Sequence, residues 1–352
     1  MRRRSNGLTR IALIASSLSL ACEATPVPPQ TGAAEDVFVE RARVALEDSP
    51  IATIGQLRDF VPYGDRFLVA DGMTDRVLAF SSDGAFEGAV GRRGDGPGEF
   101  KTPLALLIDV DSSILVTDVS GRLTRLSPQL ELVDVYRVAV PIWVGSFAHV
   151  GQRTLLYQPS GRTASDNFVW WDPETGLGES FDAVSELRHT VPYWSATWET
   201  LLAVGHQELF VADNMVYPLR RFSLEGELRD TLGFAPPSWR QADKPEVGEF
   251  ATPEGQRRGQ GWMRSFTLID GLYTVGEDWL VVTHRDPVGE YSSDDIIRAD
   301  VYQVHSGRKV WQDVRMPGPM IRGGDCAWLV VASPPEPWTI ACWTPISPGG
   351  AP

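Results

Sequence analysis

The sequence predicts an all-β protein assembled from six similar units, and three recurrences carry that expectation. Phe67-Leu-Val-Ala-Asp71, Ile114-Leu-Val-Thr-Asp118 and Leu209-Phe-Val-Ala-Asp213 are apolar runs closed by an aspartate. The first two stand 47 residues apart and the third follows after another 95. Thr154-Leu-Leu-Tyr-Gln158, Leu280-Val-Val-Thr283 and Leu329-Val-Val-Ala-Ser333 are weaker echoes at the remaining places. Gly91 lies 20 residues after Asp71, and Gly233 lies 20 after Asp213. Gly248-Glu-Phe-Ala-Thr-Pro253 repeats Gly98-Glu-Phe-Lys-Thr-Pro103 at 150 residues, a distance of three units. Self-similarity at a fixed period marks stacked supersecondary units that share one core.

At the N-terminus, Arg2, Arg3, Arg4 and Arg10 precede an apolar run from Ile11 to Ala21, which has the form of an export signal over residues 1–22. Eleven residues are too few for a permanent membrane helix, which needs about 20. Leu18-Ser-Leu-Ala-Cys22 resembles a bacterial lipobox, which implies lipidation of Cys22; an ordinary secretory signal is the alternative. Glu23 in place of an aspartate points to the outer membrane of the cell envelope, with the protein facing the periplasm or the cell surface. Residues 23–36 are proline-rich in part and are expected to form a flexible tether. The repeating domain is expected over 37–345 and a short tail over 346–352.

Within the first unit, Phe67–Ala70, Arg76–Phe80 and Phe86–Val90 are short strands separated by Asp71–Asp75 and Ser-Ser-Asp-Gly84. Aspartate and glycine tolerate the backbone angles of tight reversals. The same order recurs from Phe210 through Leu219–Leu224 to Leu232. Units of four antiparallel strands at this period predict a six-bladed β-propeller. Blades are expected near 56–91, 103–139, 141–184, 197–234, 264–315 and 319–343. The last is too short for four strands, so an N-terminal strand, expected at Ile51–Gly55, closes the ring and removes an exposed edge.

Gly94-Asp-Gly-Pro-Gly-Glu-Phe100, Pro103, Ile108-Asp-Val-Asp111 and Ile114–Asp118 together resemble the repeat of the NHL class of six-bladed propellers. The resemblance covers about 300 residues; blades one, two and four match it well, and blades three, five and six depart from it.

Cys326 and Cys342 flank two apolar strands around a turn near Pro334, where a hairpin sets them face to face for a disulfide in an oxidising compartment. The chain carries 32 basic and 46 acidic residues, a formal charge of −14. Without the signal and its four arginines the charge is −18, and no basic stripe offsets it. That excludes nucleic acid as a partner.

Asp71, Asp118 and Asp213 end equivalent strands and are expected to hold the following turns rather than a metal. The glycine run at 91–100 joins two strands and contains Pro97, unlike a phosphate cradle, which opens a helix. Arg92 and Arg93 lie at that crossing as ligand candidates. Trp194, Trp198, Trp239 and Trp262 fall outside the strongest strands and are candidates for a binding groove, with the irregular insertion from Pro236 to Gly261 between the last two. His284 and Arg285 follow a blade-five strand and complete the candidate set. No catalytic residue, metal ligand or cofactor is assigned. The expected function is binding of a protein, peptide or glycan ligand on the loop face by a propeller attached to a membrane through its lipid. The alternative is a lactonase-like hydrolase or a lyase with calcium or zinc in the axial channel.

Overall fold

The computed structural model describes residues 28–138, 147–150, 153–158, 167–172, 174–182, 200–241, 252–286 and 296–347. Six four-stranded antiparallel sheets form the ring. Blade one comprises β2 (Leu57–Tyr63), β3 (Arg66–Asp71), β4 (Arg76–Ser81) and β5 (Phe86–Val90). Blade two comprises β6 (Pro103–Ile108), β7 (Ile114–Asp118), β8 (Arg122–Leu126) and β9 (Leu132–Arg137). Blade three comprises β10 (Phe147–Val150), β11 (Arg153–Gln158), β12 (Asn167–Asp172) and β13 (Gly176–Asp182). Blade four comprises β14 (Thr200–Gly205), β15 (Glu208–Asp213), β16 (Leu219–Ser223) and β17 (Leu228–Leu232). Blade five comprises β18 (Leu268–Val275), β19 (Trp279–Asp286), β20 (Ile296–Gln303) and β21 (Lys309–Arg315). Blade six takes β22 (Met320–Arg322), β23 (Ala327–Ala332) and β24 (Thr339–Pro345) from the C-terminus and β1 (Phe38–Ala45) from the N-terminus.

The six recurring apolar runs are the second strands of the six blades, β3, β7, β11, β15, β19 and β23. Second strands pack on both faces, so they read as continuous apolar runs instead of alternating ones. The core is divided accordingly into clusters between neighbouring blades. Val61, Leu68 and Val77 meet Leu106 and Val116 between blades one and two. Leu201 and Phe210 meet Leu280 and Tyr302 between blades four and five.

Ring closure comes from the N-terminus as expected, but through different residues. β1 pairs with β24 from Phe38↔Pro345 to Ala45↔Thr339, whereas Ile51–Gly55 lies in the turn-rich link between β1 and β2. Ile51–Gly55 resembles an outer strand in sequence, yet only β1 is long enough to follow all of β24. The stretch expected to be tether is also packed from Gln30 onward. Gln30 and Ala33 pair with Trp311 and Arg315 of β21, and the short helix α1 (Ala34–Val37) buries Ala34 and Val37 between blades five and six. At the other end the Ile346 amide donates to the Val37 carbonyl at 2.8 Å.

Closure is reinforced where blade six meets blade one. Trp328 packs edge to face on Phe67 and lies 5.2 Å from Phe60. Trp338 Nε1 donates to the Ile54 carbonyl at 3.0 Å. At the axis Arg322 of β22 donates to Asp59 of β2 at 3.2 Å and to the Leu106 carbonyl of β6 at 3.0 Å. Asp59 is fully buried and also accepts from the Leu106 amide at 2.7 Å. Burial pushes its carboxyl above the ordinary range, and Arg322 offsets only part of that push. Cys326 and Cys342 are joined across the β23–β24 hairpin with their Cα atoms 5.6 Å apart.

Gly91 and Gly233 occupy the same place, one residue past an outer strand, with φ of 99° and 73°. A Cβ at Gly91 would stand 2.3 Å from the Phe100 ring, and at Gly233 it would stand 2.3 Å from the Tyr302 hydroxyl. Their 20-residue spacing from Asp71 and Asp213 thus records one repeated need for left-handed backbone in a tight exit. The 150-residue echo does not survive: Pro103 opens β6, whereas Pro253 opens a helix, α2 (Pro253–Met263), capped by Thr252.

Because consecutive strands are antiparallel, the ring has two unlike faces. Links between first and second, and between third and fourth, strands emerge on one face and span at most the five residues of Asp109–Ser113, Ser127–Glu131 or Val304–Arg308. Among the described residues the long connections emerge on the other, including Gly91–Thr102 and the described parts of the link from β17 to β18. These are the hairpin face and the loop face.

Replacing Arg322 by Met leaves Asp59 buried without its counter-ion. We expect a loss of about 3 kcal/mol in urea unfolding, with Asp59→Asn in the same chain recovering most of it. Replacing both Cys326 and Cys342 by Ser, which opens a link with a sequence separation of 16, should cost about 3 kcal/mol and lower Tm by several degrees.

Candidate functional site

Above blades four and five the described parts of the insertion between β17 and β18, residues 234–241 and 252–267, form a canopy. Its first part, Phe234–Gln241, lies over the edge of blade five, and its second part is α2 followed by the return to β18. The insertion was expected to be irregular through Gly261, yet it contains this helix. Thr252 accepts from the Gly255 amide at 3.0 Å, Pro253 fits the first turn and Glu254 favours the positive end of the helix dipole. The Thr-Pro-Glu order was the available signal.

The first part is anchored by Asp313, an aspartate with φ of 54° in β21. Its carboxylate accepts from the Ser238 amide at 3.1 Å and from the Ser238 hydroxyl. On its other side the completely buried His284 of β19 places Nε2 3.5 Å from the same carboxylate. Burial works against ionisation of Asp313, but the neighbouring His284 and the hydrogen bonds from Ser238 outweigh it and hold the carboxyl below the ordinary range.

Next to it, Asp300 and Lys309 form a buried pair at 2.6 Å. Lys309 Nζ also donates to the Phe234 carbonyl at 2.6 Å and lies 4.6 Å from the Phe234 ring. Tyr217 donates to Asp300 at 3.1 Å; burial and then Asp300 drive the Tyr217 hydroxyl well above its ordinary range, so it stays a donor. Burial pushes the Lys309 amine down, which Asp300 resists.

Trp239 caps this network, 4.9 Å from Tyr217 and 6.3 Å from His284, edge to face with both. Its Nε1 donates to Gln241 at 3.1 Å, and Gln241 donates to the Met215 carbonyl at 3.3 Å. Met215, Phe266 and Trp262 form an adjoining small cluster. Asp286 accepts from Thr267 at 2.6 Å and stands within 3.6 Å of Arg240 and 3.4 Å of Arg298.

The structure therefore brings Trp239 and His284 together and sets Trp262 beside them through Gln241. Arg285 points elsewhere, 3.9 Å from Asp270. Arg92 pairs with Glu99 at 2.9 Å in the glycine crossing, and Arg93 is exposed in the same loop, both in the link from blade one to blade two. Trp194 and Trp198 lie outside the described residues. Sequence reasoning missed Tyr217, Ser238, Arg298, Asp300, Lys309 and Asp313, which converge from separate strands and loops with no common spacing.

Asp71 and Asp118 hold the turns that follow them, whereas Asp213 accepts from side chains of the strands on either side of its own. Asp71 accepts from the amides of Gly55, Gln56 and Met73, Asp118 from Ser120 and Arg122, and Asp213 from Thr200 and Arg220. Among the described residues no group of three or more His, Cys, Asp or Glu side chains is placed to hold a metal ion.

A family profile described as a 6-bladed beta-propeller, DUF5128, matches residues 37–217. Among solved structures, a Bacteroides fragilis protein described as exported superposes with a TM-score of 0.61 at 11% identity, covering 91% of this chain and 98% of its own. A member of the DUF4221 family from Bacteroides vulgatus superposes with a TM-score of 0.63 at 11% identity, covering 88% of this chain and 98% of its own. At this identity the likenesses speak for the fold. No curated protein matches the sequence.

A folded-state carboxyl held below its ordinary value contributes stability that is complete above the unfolded value, near 4, and is lost as pH falls through the folded one. Hydrogen exchange at the Ser238 amide should thus stay slow from pH 7 to 5, after correction for the intrinsic rate, and accelerate below about pH 4. Replacing Lys309 by Met strands Asp300 and should cost about 3 kcal/mol in denaturant unfolding, more than Lys309→Met combined with Asp300→Asn.

Proposed function

Since the chain belongs to the DUF5128 family of six-bladed β-propellers, we propose that it is an exported recognition protein that binds a protein, peptide or glycan ligand on its loop face. The observation that carries this reading is the asymmetry of the ring: among the described residues the long connections leave one face, while links on the other span at most five residues. A scaffold that needed its links for closure alone would have no use for the 35 residues of Gly233–Thr267 where Met316–Pro319 suffices between blades five and six. Long links on a rigid ring are the usual place for recognition.

The canopy supplies suitable chemistry. Trp239 and Trp262 are half-buried, each with one side against the fold, and Arg240, next to Trp239 in the chain, shares Asp286 with Arg298. Flat aromatic surface beside guanidinium donors suits sugar rings and peptide side chains alike. The signal-like N-terminus, the lipobox-like segment ending at Cys22 and the NHL-like repeat complete the reading: a lipoprotein of the cell envelope, held at the outer membrane. The neighbour of the same fold that is described as exported supports the export part of this reading.

Glycan arrays and envelope-extract pull-downs with the domain from Glu23 onward test the proposal. Trp239→Ala should weaken capture by at least about tenfold, the loss of one aromatic anchor, and replacing 234–267 by a short link should abolish it while circular dichroism stays β. Capture that survives both changes refutes the assignment of this face.

A further inference from the structure

Beneath the canopy, β20 carries a guanidinium that the fold leaves under-used. Arg298 stands opposite His284 of β19 on one side and opposite Arg315 of β21 on the other. Cross-strand partners point to the same side of a sheet, and so does Asp286, two residues beyond His284. That side meets the canopy, since the Trp239 ring lies 6.3 Å from His284.

Charge and hydrogen bonding do not match here. Arg298 Nε is 3.4 Å from Asp286 Oδ2 without forming a hydrogen bond, and Nη1 donates to the Asp313 carbonyl at 3.4 Å. Arg240, with 44% of its side chain exposed, stands 3.6 Å from Asp286. Bonds between guanidinium and carboxylate ordinarily close to about 2.7–2.9 Å, and in this chain Arg122 and Asp118 reach 2.7 Å. The short bond to Asp286 comes instead from the Thr267 hydroxyl at 2.6 Å. Asp313, the other carboxylate nearby, is taken up by Ser238 and His284. Arg240, Arg298 and the exposed Arg315 therefore stand against two carboxylates, neither of which they hold tightly. In a chain of formal charge −14, this is a local surplus of positive charge.

We propose that the canopy binds an acidic sugar of the uronate type, its carboxylate seated against Arg240 and Arg298 and its ring against Trp239. The proposal rests on the recognition reading of the loop face and names a ligand class for it. Two arguments select that class. A guanidinium fork matches a carboxylate with two parallel bonds, and both arginines keep N–H groups that no described residue accepts from. A pyranose with its carboxylate on the ring presents an apolar face and an anion as one rigid unit, so aromatic and guanidinium contacts form for the ordering of a single group. An aspartate or glutamate side chain offers the anion without the flat face.

Calorimetric titration tests this with the chain from Glu23 onward, which keeps every strand of the ring. The probes are trimers of galacturonate, glucuronate and mannuronate, each beside its uncharged methyl ester. At least one acid should bind about tenfold or more tightly than its ester, the worth of one charge-assisted hydrogen bond, and lose that margin in concentrated salt. Arg240→Gln, at an exposed position, should remove the margin and leave the ester unaffected. Arg298→Lys, which keeps the charge and loses the fork, should act in the same direction. The assignment is overturned if no acid binds, if acid and ester bind alike, if both substitutions leave acid binding intact, or if a tri-glutamate peptide binds more tightly than every uronate. In those cases capture of another ligand that is lost in Trp239→Ala leaves the loop-face reading standing, and its absence takes both down.

Discussion

Ring closure is the constraint on which the rest depends. A propeller of six blades has one seam, and here it is bridged at three radii. β1 hydrogen-bonds to β24 at the outside, the Trp328, Phe60 and Phe67 rings pack in the middle, and Arg322 reaches Asp59 and Leu106 at the axis. The bridges differ in kind because their surroundings do. At the outer edge exposed amides need partners, which a strand supplies in register. In the middle large apolar surfaces exclude water. At the crowded axis a single long side chain satisfies an aspartate and a carbonyl from two other blades. The buried ion pair is costly to assemble and costlier to break, so it contributes more to specifying which blades meet than to net stability.

A closed ring also explains why one side of the molecule is free to vary. With the seam secured, the links on the loop face carry little of the fold. The connection after blade four has expanded into a canopy whose foundations reach down into the blade beneath it. Asp313, Asp300, Lys309 and His284 are buried or nearly so, and they belong to the strands of blade five. They fix Ser238, Phe234 and Tyr217, which belong to loops. The polar network thus couples a rigid sheet to a variable cover and gives Trp239 a defined position.

Much of the ring was legible in the sequence because second strands are buried on both faces. β3, β7 and β15 consist almost wholly of buried residues, so their apolar runs stand out. Outer strands such as β17, with four exposed residues in five, carry no comparable pattern. That is why the closing strand was sought at Ile51–Gly55 and not at Phe38–Ala45, whose pattern is mostly exposed. The glycine spacing was sound because it reflects backbone geometry. The Thr-Pro echo misled because the same pair suits the first position of a strand and the first turn of a helix equally well. Of the candidate site, the aromatic members were visible by their rarity, while its charged members were not, since no periodicity links Tyr217 to Lys309.

The pairing of β1 with β24 has a consequence in time. Phe38 is among the first residues of the domain to be synthesised and Pro345 among the last, so the seam cannot seal until nearly the whole chain is available. Five sheets can form as their strands appear, but the sixth waits, and until then β1 is an unclaimed edge strand of the sort that invites wrong pairings. The parallel contact of Gln30–Ala33 with β21 supplies a berth one blade early, so the leading end can be docked on the fifth sheet before its final partner exists.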